Sequence, residues 1–244
     1  MRKSSTGCPG RAHGDRRAPD ALHVWWIDLE RIEEAAWHVL SPEERTRAAR
    51  FRQPGDRRCW SRARTALRQI LAAYVDTPPE ALCFVPGPWG KPALAGNTTI
   101  RFSLSHAGAR AALAVAWERD VGIDLEPLAP HLDRDLASLI TAGCSAAETA
   151  HLLAIPPNAR LEAFLACWTM KEAYLKAVGV GLSRDPRAIE IATAAEDRVV
   201  VRDPLAVGDP SSWTLRRLDA GPGWLAALAV AGAALKVEEF AWPE

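Results

Sequence analysis

The amino-acid sequence predicts an α+β fold: a pseudo-dimer of two similar halves, each a small antiparallel sheet packed on a long helix, with the active site at the seam. Three observations predict it. Strand patterns of period two arrive in hairpins instead of alternating strictly with helices, which marks α+β. The chain also repeats itself. Cys59-Trp60-Ser61-Arg62-Ala63-Arg64-Thr65-Ala66-Leu67-Arg68 matches Cys167-Trp168-Thr169-Met170-Lys171-Glu172-Ala173-Tyr174-Leu175-Lys176 in register, and Trp26-Ile27-Asp28-Leu29-Glu30 echoes Gly122-Ile123-Asp124-Leu125-Glu126. Ser41-Pro42-Glu43-Glu44 and Ser145-Ala146-Ala147-Glu148 both look like capping boxes, and Leu113-Ala114-Val115-Ala116 parallels Leu228-Ala229-Val230-Ala231. The third observation is charge. Where the second half has Glu172 and Lys176, the first has Arg64 and Arg68, a complementarity that suits one shared site.

Taken in order, residues 1–20 contain Gly, Pro, Arg and Ser with almost nothing apolar; they read as a flexible tail and lack the apolar core of a signal peptide. The N-terminal half, 21–119, opens with strand 22–30. Helices near 31–39 and 42–52 follow, then a long helix near 57–75, a Pro/Gly-rich loop at 76–96 and a hairpin at 98–118. The C-terminal half, 120–244, begins with an acidic strand at 120–126. It continues with helices near 133–141 and 145–154 and a long helix at 159–178, which Gly179 closes as a left-handed cap. Strands near 187–201, a hairpin at 212–231 and a last strand near 234–241 complete it.

Composition limits the function classes. The 244 residues are 48% hydrophobic and 25% charged with a formal net charge of zero, so no global field draws nucleic acid. Five cysteines, at 8, 59, 83, 144 and 167, never form a C-x-x-C pair, which argues against a zinc site or a disulfide framework and for a reducing cytoplasm. No apolar run approaches the roughly 18 residues of a membrane span. Of the ten tryptophans, Trp60 and Trp168 occupy repeat positions and read as core, while Trp89, in the loop beside Lys91, reads as an anchored loop residue or as one that stacks on adenine or covers the site.

The chemistry concentrates in the second half. On a helical wheel centred on Trp168, Leu161, Phe164, Leu165 and Leu175 fall within about 60°, Glu172 within about 40° and Lys176 at about 80°. Glu172 is therefore expected on the buried side and Lys176 at its edge, unlike a surface Glu–Lys pair. A buried carboxylate requires a cation or metal. In Val121-Gly122-Ile123-Asp124-Leu125-Glu126 the alternation puts both carboxylates on one face, beside a glycine that leaves room near the backbone. The bland alternative is an edge strand with a solvated acidic face. Three carboxylates together suit Mg²⁺. Lys91, in Gly90-Lys91-Pro92, is expected on display in its loop. Phe102-Ser103-Leu104-Ser105-His106-Ala107-Gly108 reads as a strand entering a tight turn that offers a hydroxyl, an imidazole and an open backbone N–H to a ligand. Arg64 and Arg68 read equally well as an i,i+4 solvated face.

In this order and separation, these four motifs resemble the 4′-phosphopantetheinyl transferases of the larger, surfactin-synthetase-activating type, over roughly residues 22–240. The resemblance implies transfer of the 4′-phosphopantetheine arm of coenzyme A to a serine of an apo acyl- or peptidyl-carrier protein, with release of 3′,5′-ADP. By match, Asp124, Glu126 and Glu172 would hold Mg²⁺ against the coenzyme A pyrophosphate. Lys176 would contact the phosphates, and Lys91, Ser105, His106 and Arg64 would bind the nucleotide end and its phosphates. Glu172 would take the serine proton, directly or through water, while Lys176 supplies fixed charge. Arg45, Arg47 and Arg50 on the helix near 42–52 are a third basic candidate, but some relatives carry a lysine where Glu44 aligns, which leaves cofactor contacts from that helix open. The resemblance further implies a cytoplasmic monomer in secondary metabolism. The competing readings are another Mg-dependent phosphotransferase or phosphohydrolase acting on a small nucleotide, and a non-catalytic carrier-binding module.

Overall fold

The computed structural model describes residues 21–32, 34–96, 98–128, 135–193, 199–206 and 213–243. The expected N-terminal tail lies outside them. In chain order the elements are β1 (Ala21–Asp28), α1 (Pro42–Ala49), α2 (Pro54–Val75), β2 (Phe84–Pro86), β3 (Pro92–Leu94), β4 (Ile100–Ala107), β5 (Arg110–Trp117) and β6 (Val121–Pro127). There follow α3 (Leu136–Gly143), α4 (Ala146–Ala154), α5 (Pro157–Val178), β7 (Glu190–Thr193), β8 (Val199–Arg202), β9 (Trp213–Leu218), β10 (Trp224–Ala231) and β11 (Lys236–Trp242). The expected helix near 31–39 is instead two 3₁₀ turns, Leu29–Arg31 and Glu34–Val39. Asp28 caps the first through Glu30 N–H, and Ser41 before Pro42 is held extended, so the chain restarts at α1. The strands expected near 187–201 are Glu190–Thr193 and Val199–Arg202, the first starting late because Pro186–Ala188 forms a 3₁₀ turn capped by Asp185.

The chain forms two compact units. The first comprises Met1–Val85, Pro92–Glu118 and Leu235–Glu244. Its main sheet runs β11-β1-β5-β4. β1, β5 and β4 are antiparallel neighbours, with Gly108 turning the β4–β5 hairpin at φ 49°. β11 pairs parallel to β1, from Ala21 opposite Lys236 to Ile27 opposite Trp242. The last strand, β11, belongs to the first unit. Aromatic packing explains this: Phe240 stacks on Trp25 with centroids 4.7 Å apart, and His23 meets Phe240 edge-on. The helix α2 starts with Pro54 at its first turn and ends at Asp76 in the left-handed region. Its buried Leu67, Ile70 and Leu71 join Trp25, Phe102, Leu113 and Val115 in one core.

The second unit comprises Pro86–Lys91 and Arg119–Ala234. Its sheet β6-β10-β9 is antiparallel throughout. The helix α5, like α2, has 22 residues and Pro in its first turn, and Gly179 closes it at φ 83°. It lies on β6 and β10, which buries Met170, Ala173, Tyr174, Leu175 and Ala177. The second face carries Leu161, Phe164 and Leu165 against α3 and α4. Burial therefore runs nearly round the helix and is not centred on Trp168, which is itself half-buried.

The room left by Gly122 is filled by α5. A Cβ there would lie 1.9 Å from the Ala173 carbonyl oxygen and 2.4 Å from Ala177 N. The expected space is thus used for helix–strand approach, and this approach brings the acidic face of β6 onto α5.

Both capping boxes are present. Ser41 and Glu44 cap α1, and Ser145 and Glu148 cap α4, each serine hydroxyl accepting from the glutamate N–H and each carboxylate accepting from the serine N–H. The same two glutamates also meet buried cations. Arg68, 2% exposed, donates to Glu44 Oε2 at 2.6 Å and to the carbonyls of Pro79 and Leu82. Lys171, 0% exposed, pairs with Glu148 at 2.5 Å and donates to the carbonyls of Gly143, Pro186 and Ile189. Arg64 and Arg68 are therefore not a solvated face.

Candidate active site

The second unit assembles the acidic cluster. On β6, Asp124 and Glu126 share the face that Gly122 opens to α5, and from α5 come Glu172 and Lys176. Asp124 is only 3% exposed, so β6 does not present a solvated acidic face. Lys176 crosses to it, its Nζ 2.6 Å from Asp124 Oδ1. The cation demanded by the buried side is thus paired with the strand rather than with the glutamate one turn away. Glu172 is half-buried, and its Oε1 is shielded from solvent with no hydrogen-bond partner among the described residues.

The electrostatics show an excess of negative charge. Burial raises the Glu172 carboxyl above its usual range, the Asp124 charge raises it further, and Lys176 opposes both. Burial likewise pushes Glu126 up to about 7, with Asp124 and Glu172 adding to the rise. Lys176 and a hydrogen bond from the Trp168 indole act against it. The cluster thus sets three carboxylates against one ammonium, with Glu172 Oε1 buried and unmet. Among the described residues, the group of His, Cys, Asp or Glu whose ligand atoms lie within 4.8 Å of one another is a different one, Cys144, Glu148 and Cys167. That group is already committed: Glu148 meets Lys171, Ser145 N–H and Ile191 N–H, and the Cys167 thiol points to Glu148 Oε1.

The other expected site residues are placed as follows. Lys91 is not on display. It is half-buried, and its Nζ donates to the carbonyls of Val121 at 3.0 Å and Ala177 at 2.9 Å. It thereby caps the end of α5, where free carbonyls and the helix dipole favour a cation. A turn shapes this loop, with Gly87 N–H bonded to Lys91 O and Gly90 at φ 88°. Trp89, in the same loop, is 63% exposed and so is not anchored. In the first unit, Ser105 on β4 is buried and His106 beside it is exposed, as strand alternation requires. Arg64 is largely committed to Glu44, through Nε at 2.8 Å and Nη2 at 2.5 Å, and lies over the Phe84 ring. Arg47 and Arg50, together with Pro42, Glu43, Thr46 and Phe51, line a cavity of about 730 Å³ in this unit.

Sequence reasoning missed Lys171. The same wheel that flagged Glu172 puts Lys171 within about 60° of Trp168. A lysine inside the buried arc, three residues after a tryptophan of the core, was the available signal.

Known proteins match along both halves. The model of the 4′-phosphopantetheinyl transferase superfamily matches residues 120–229, and that of the 4′-phosphopantetheinyl transferase N-terminal region matches residues 25–118. The 4′-phosphopantetheinyl transferase HetI of Nostoc sp. is 35% identical over 219 residues, covering 87% of this chain and 89% of its own. The chain belongs to the 4′-phosphopantetheinyl transferase superfamily. Within the superfamily, AcpT of Salmonella typhi is 34% identical over 155 residues, 61% of this chain and 76% of its own. The activity that defines the superfamily, transfer of 4′-phosphopantetheine from coenzyme A to a carrier protein, is accordingly that of this chain. The Asp124–Glu126 strand and the Glu172–Lys176 helix both fall inside the superfamily match. Among the described residues no helix is long and apolar enough to cross a membrane.

Proposed function

We propose that this transferase is of the larger, surfactin-synthetase-activating type and that Asp124, Glu126 and Glu172 hold Mg²⁺ at its active site. The observation that carries this reading is the unmet, buried Glu172 Oε1 inside a cluster of three carboxylates and one ammonium. The match of a separate N-terminal family region to residues 25–118 supports the larger type. When bound, the cation supplies charge neutralisation for the phosphate oxygens of coenzyme A.

The residues of the chain do the rest. Lys176, held beside Asp124, offers a fixed positive charge to the phosphates. Glu172 accepts the proton of the carrier serine, directly or through water; burial and the Asp124 charge raise its carboxyl above the usual range, which makes it the stronger base. Lys91, Ser105 and His106 bind the nucleotide end, and Arg64 contributes through the guanidinium nitrogen that Glu44 leaves open. The nucleophile comes from the carrier, so the chain needs none of its own. We propose further that the enzyme acts as a cytoplasmic monomer.

The test is incubation with coenzyme A and an apo-carrier protein, with Mg²⁺ or with EDTA, followed by intact mass of the carrier. The reading requires the carrier to gain the phosphopantetheine mass with Mg²⁺ and to stay apo with EDTA. Equal modification in both conditions removes the metal; no modification with Mg²⁺ by any acyl- or peptidyl-carrier removes the substrate assignment.

A further inference from the structure

A second cavity in the first unit, about 290 Å³, is lined by Trp37, Pro54, Arg57, Arg58, Ser61 and Arg62 among others, and by no carboxylate among the described residues. It shares no residue with the acidic cluster, and nothing in the transferase reaction uses it. Ser61 is only 3% exposed, and its Oγ has no hydrogen-bond partner among the described residues. The Nε of Arg62 is likewise buried and unmet. Buried polar groups are nearly always paired, so two unmet ones at one cavity mark a place where a partner belongs. None of Arg57, Arg58 and Arg62 has a carboxylate partner among the described residues. Arg57 is steadied over the Trp37 ring, 4.8 Å from its centroid.

We propose that this cavity binds an oxyanion, the phosphate group of a small phosphorylated ligand or inorganic phosphate itself. The donor inventory selects the class. Guanidinium groups only donate, and a serine hydroxyl can donate or accept, so the ligand must supply several acceptors at one centre. Three guanidinium groups exclude a cation. An apolar guest would leave Ser61 Oγ and Arg62 Nε unmet. The helix α2 begins beside the cavity at Pro54, and Gln53 provides no side-chain cap, so the positive end of a 22-residue helix adds to the field. Ligand sites generally start near 300 Å³, so this volume suits one phosphoryl group on a small body.

The test is thermal denaturation of the full chain in low-salt buffer, titrated with inorganic phosphate and, separately, with O-phosphoserine. The parent shows a saturable rise in Tm. The Arg58→Gln/Arg62→Gln variant requires at least tenfold more phosphate for the same rise. Ser61→Ala melts higher than the parent without phosphate, because it removes an unmet hydroxyl, and its phosphate response is weakened severalfold. A larger response to O-phosphoserine than to inorganic phosphate assigns the site to a phosphate ester, and the reverse order assigns it to the free ion. The proposal is overturned if the parent shows no response, or if Ser61→Ala and the arginine variant respond like the parent, which would place phosphate elsewhere. If the arginine variant does not fold, Ser61→Ala alone decides between these outcomes.

Discussion

Replacing Lys171 by Met probes the charge buried most completely in the second unit. The methionine side chain follows the lysine stem, so packing changes little and the loss is electrostatic. Four contacts disappear: the 2.5 Å pair with Glu148 and donations to the carbonyls of Gly143 at 3.2 Å, Pro186 at 2.9 Å and Ile189 at 2.7 Å. Breaking one side of a buried pair costs about 3–5 kcal/mol, because the remaining charge is left uncompensated. Glu148 keeps the N–H groups of Ser145 and Ile191, which holds the cost toward the lower figure. Three carbonyls that lose a donor add roughly 1 kcal/mol each at most. The net expectation is a loss of about 4 kcal/mol, which for a chain of this length lowers Tm by roughly 8–15 °C. Calorimetry and urea titration measure it. Adding Glu148→Gln should restore part of the loss, since no isolated charge then remains buried. The parental pair should also survive about 1 M salt, where surface pairs are screened. A loss below about 1 kcal/mol, or a double variant no better than the single, would refute the buried-pair reasoning.

The remaining predictions concern the site. Gly122→Ala places a Cβ 1.9 Å from the Ala173 carbonyl, so α5 must move off β6; the variant should lose about 2 kcal/mol or more and nearly all transfer activity, and near-parental values in both would refute the close approach. Glu126, raised to about 7 in the folded protein from 4.5, stays protonated longer there than in the unfolded chain. In metal-free protein the Glu126 contribution to stability should therefore be fully present below about pH 4.5 and be lost as pH rises to about 7, by roughly 1 kcal/mol after solvent screening, whereas saturating Mg²⁺ or Glu126→Gln should remove that contribution to the slope in chemical denaturation. Lys91→Ala removes donors from the Val121 and Ala177 carbonyls and should cost about 1–2 kcal/mol of stability; a rise in the KM for coenzyme A checks the cofactor role, and an unchanged KM reduces Lys91 to a helix cap. Glu172→Gln should still bind coenzyme A with Mg²⁺ by isothermal titration while turnover falls by about 10² or more, and near-parental turnover would remove Glu172 from proton transfer.

Local patterns carried most of the fold. Hydrophobic period, the serine–glutamate boxes at 41–44 and 145–148 and Gly179 are signals within a few residues of the feature they set, so α1, α2, α4, α5 and the two hairpins were legible. The acidic face of β6 was legible for the same reason, since period two alone puts Asp124 and Glu126 together. Where proline and Asx capping compete with helix or strand, at 29–39 and 186–188, pattern reading overran the element.

Contacts between distant segments were decided by the tertiary structure alone. Nothing local tells β11 to pair with β1; the Trp25–Phe240 stack selects it across more than two hundred residues. The space at Gly122 is legible as space, but its occupant, α5 rather than a ligand, emerges only when the helix packs. Charge assignment followed the same rule. The sequence by itself determined which residues carry charge near the site and that some must be buried. Which cation meets which carboxylate, Lys176 with Asp124, Lys171 with Glu148 and Arg64 with Glu44, depends on distances of a few ångströms between separate elements, and those distances exist only in the folded chain.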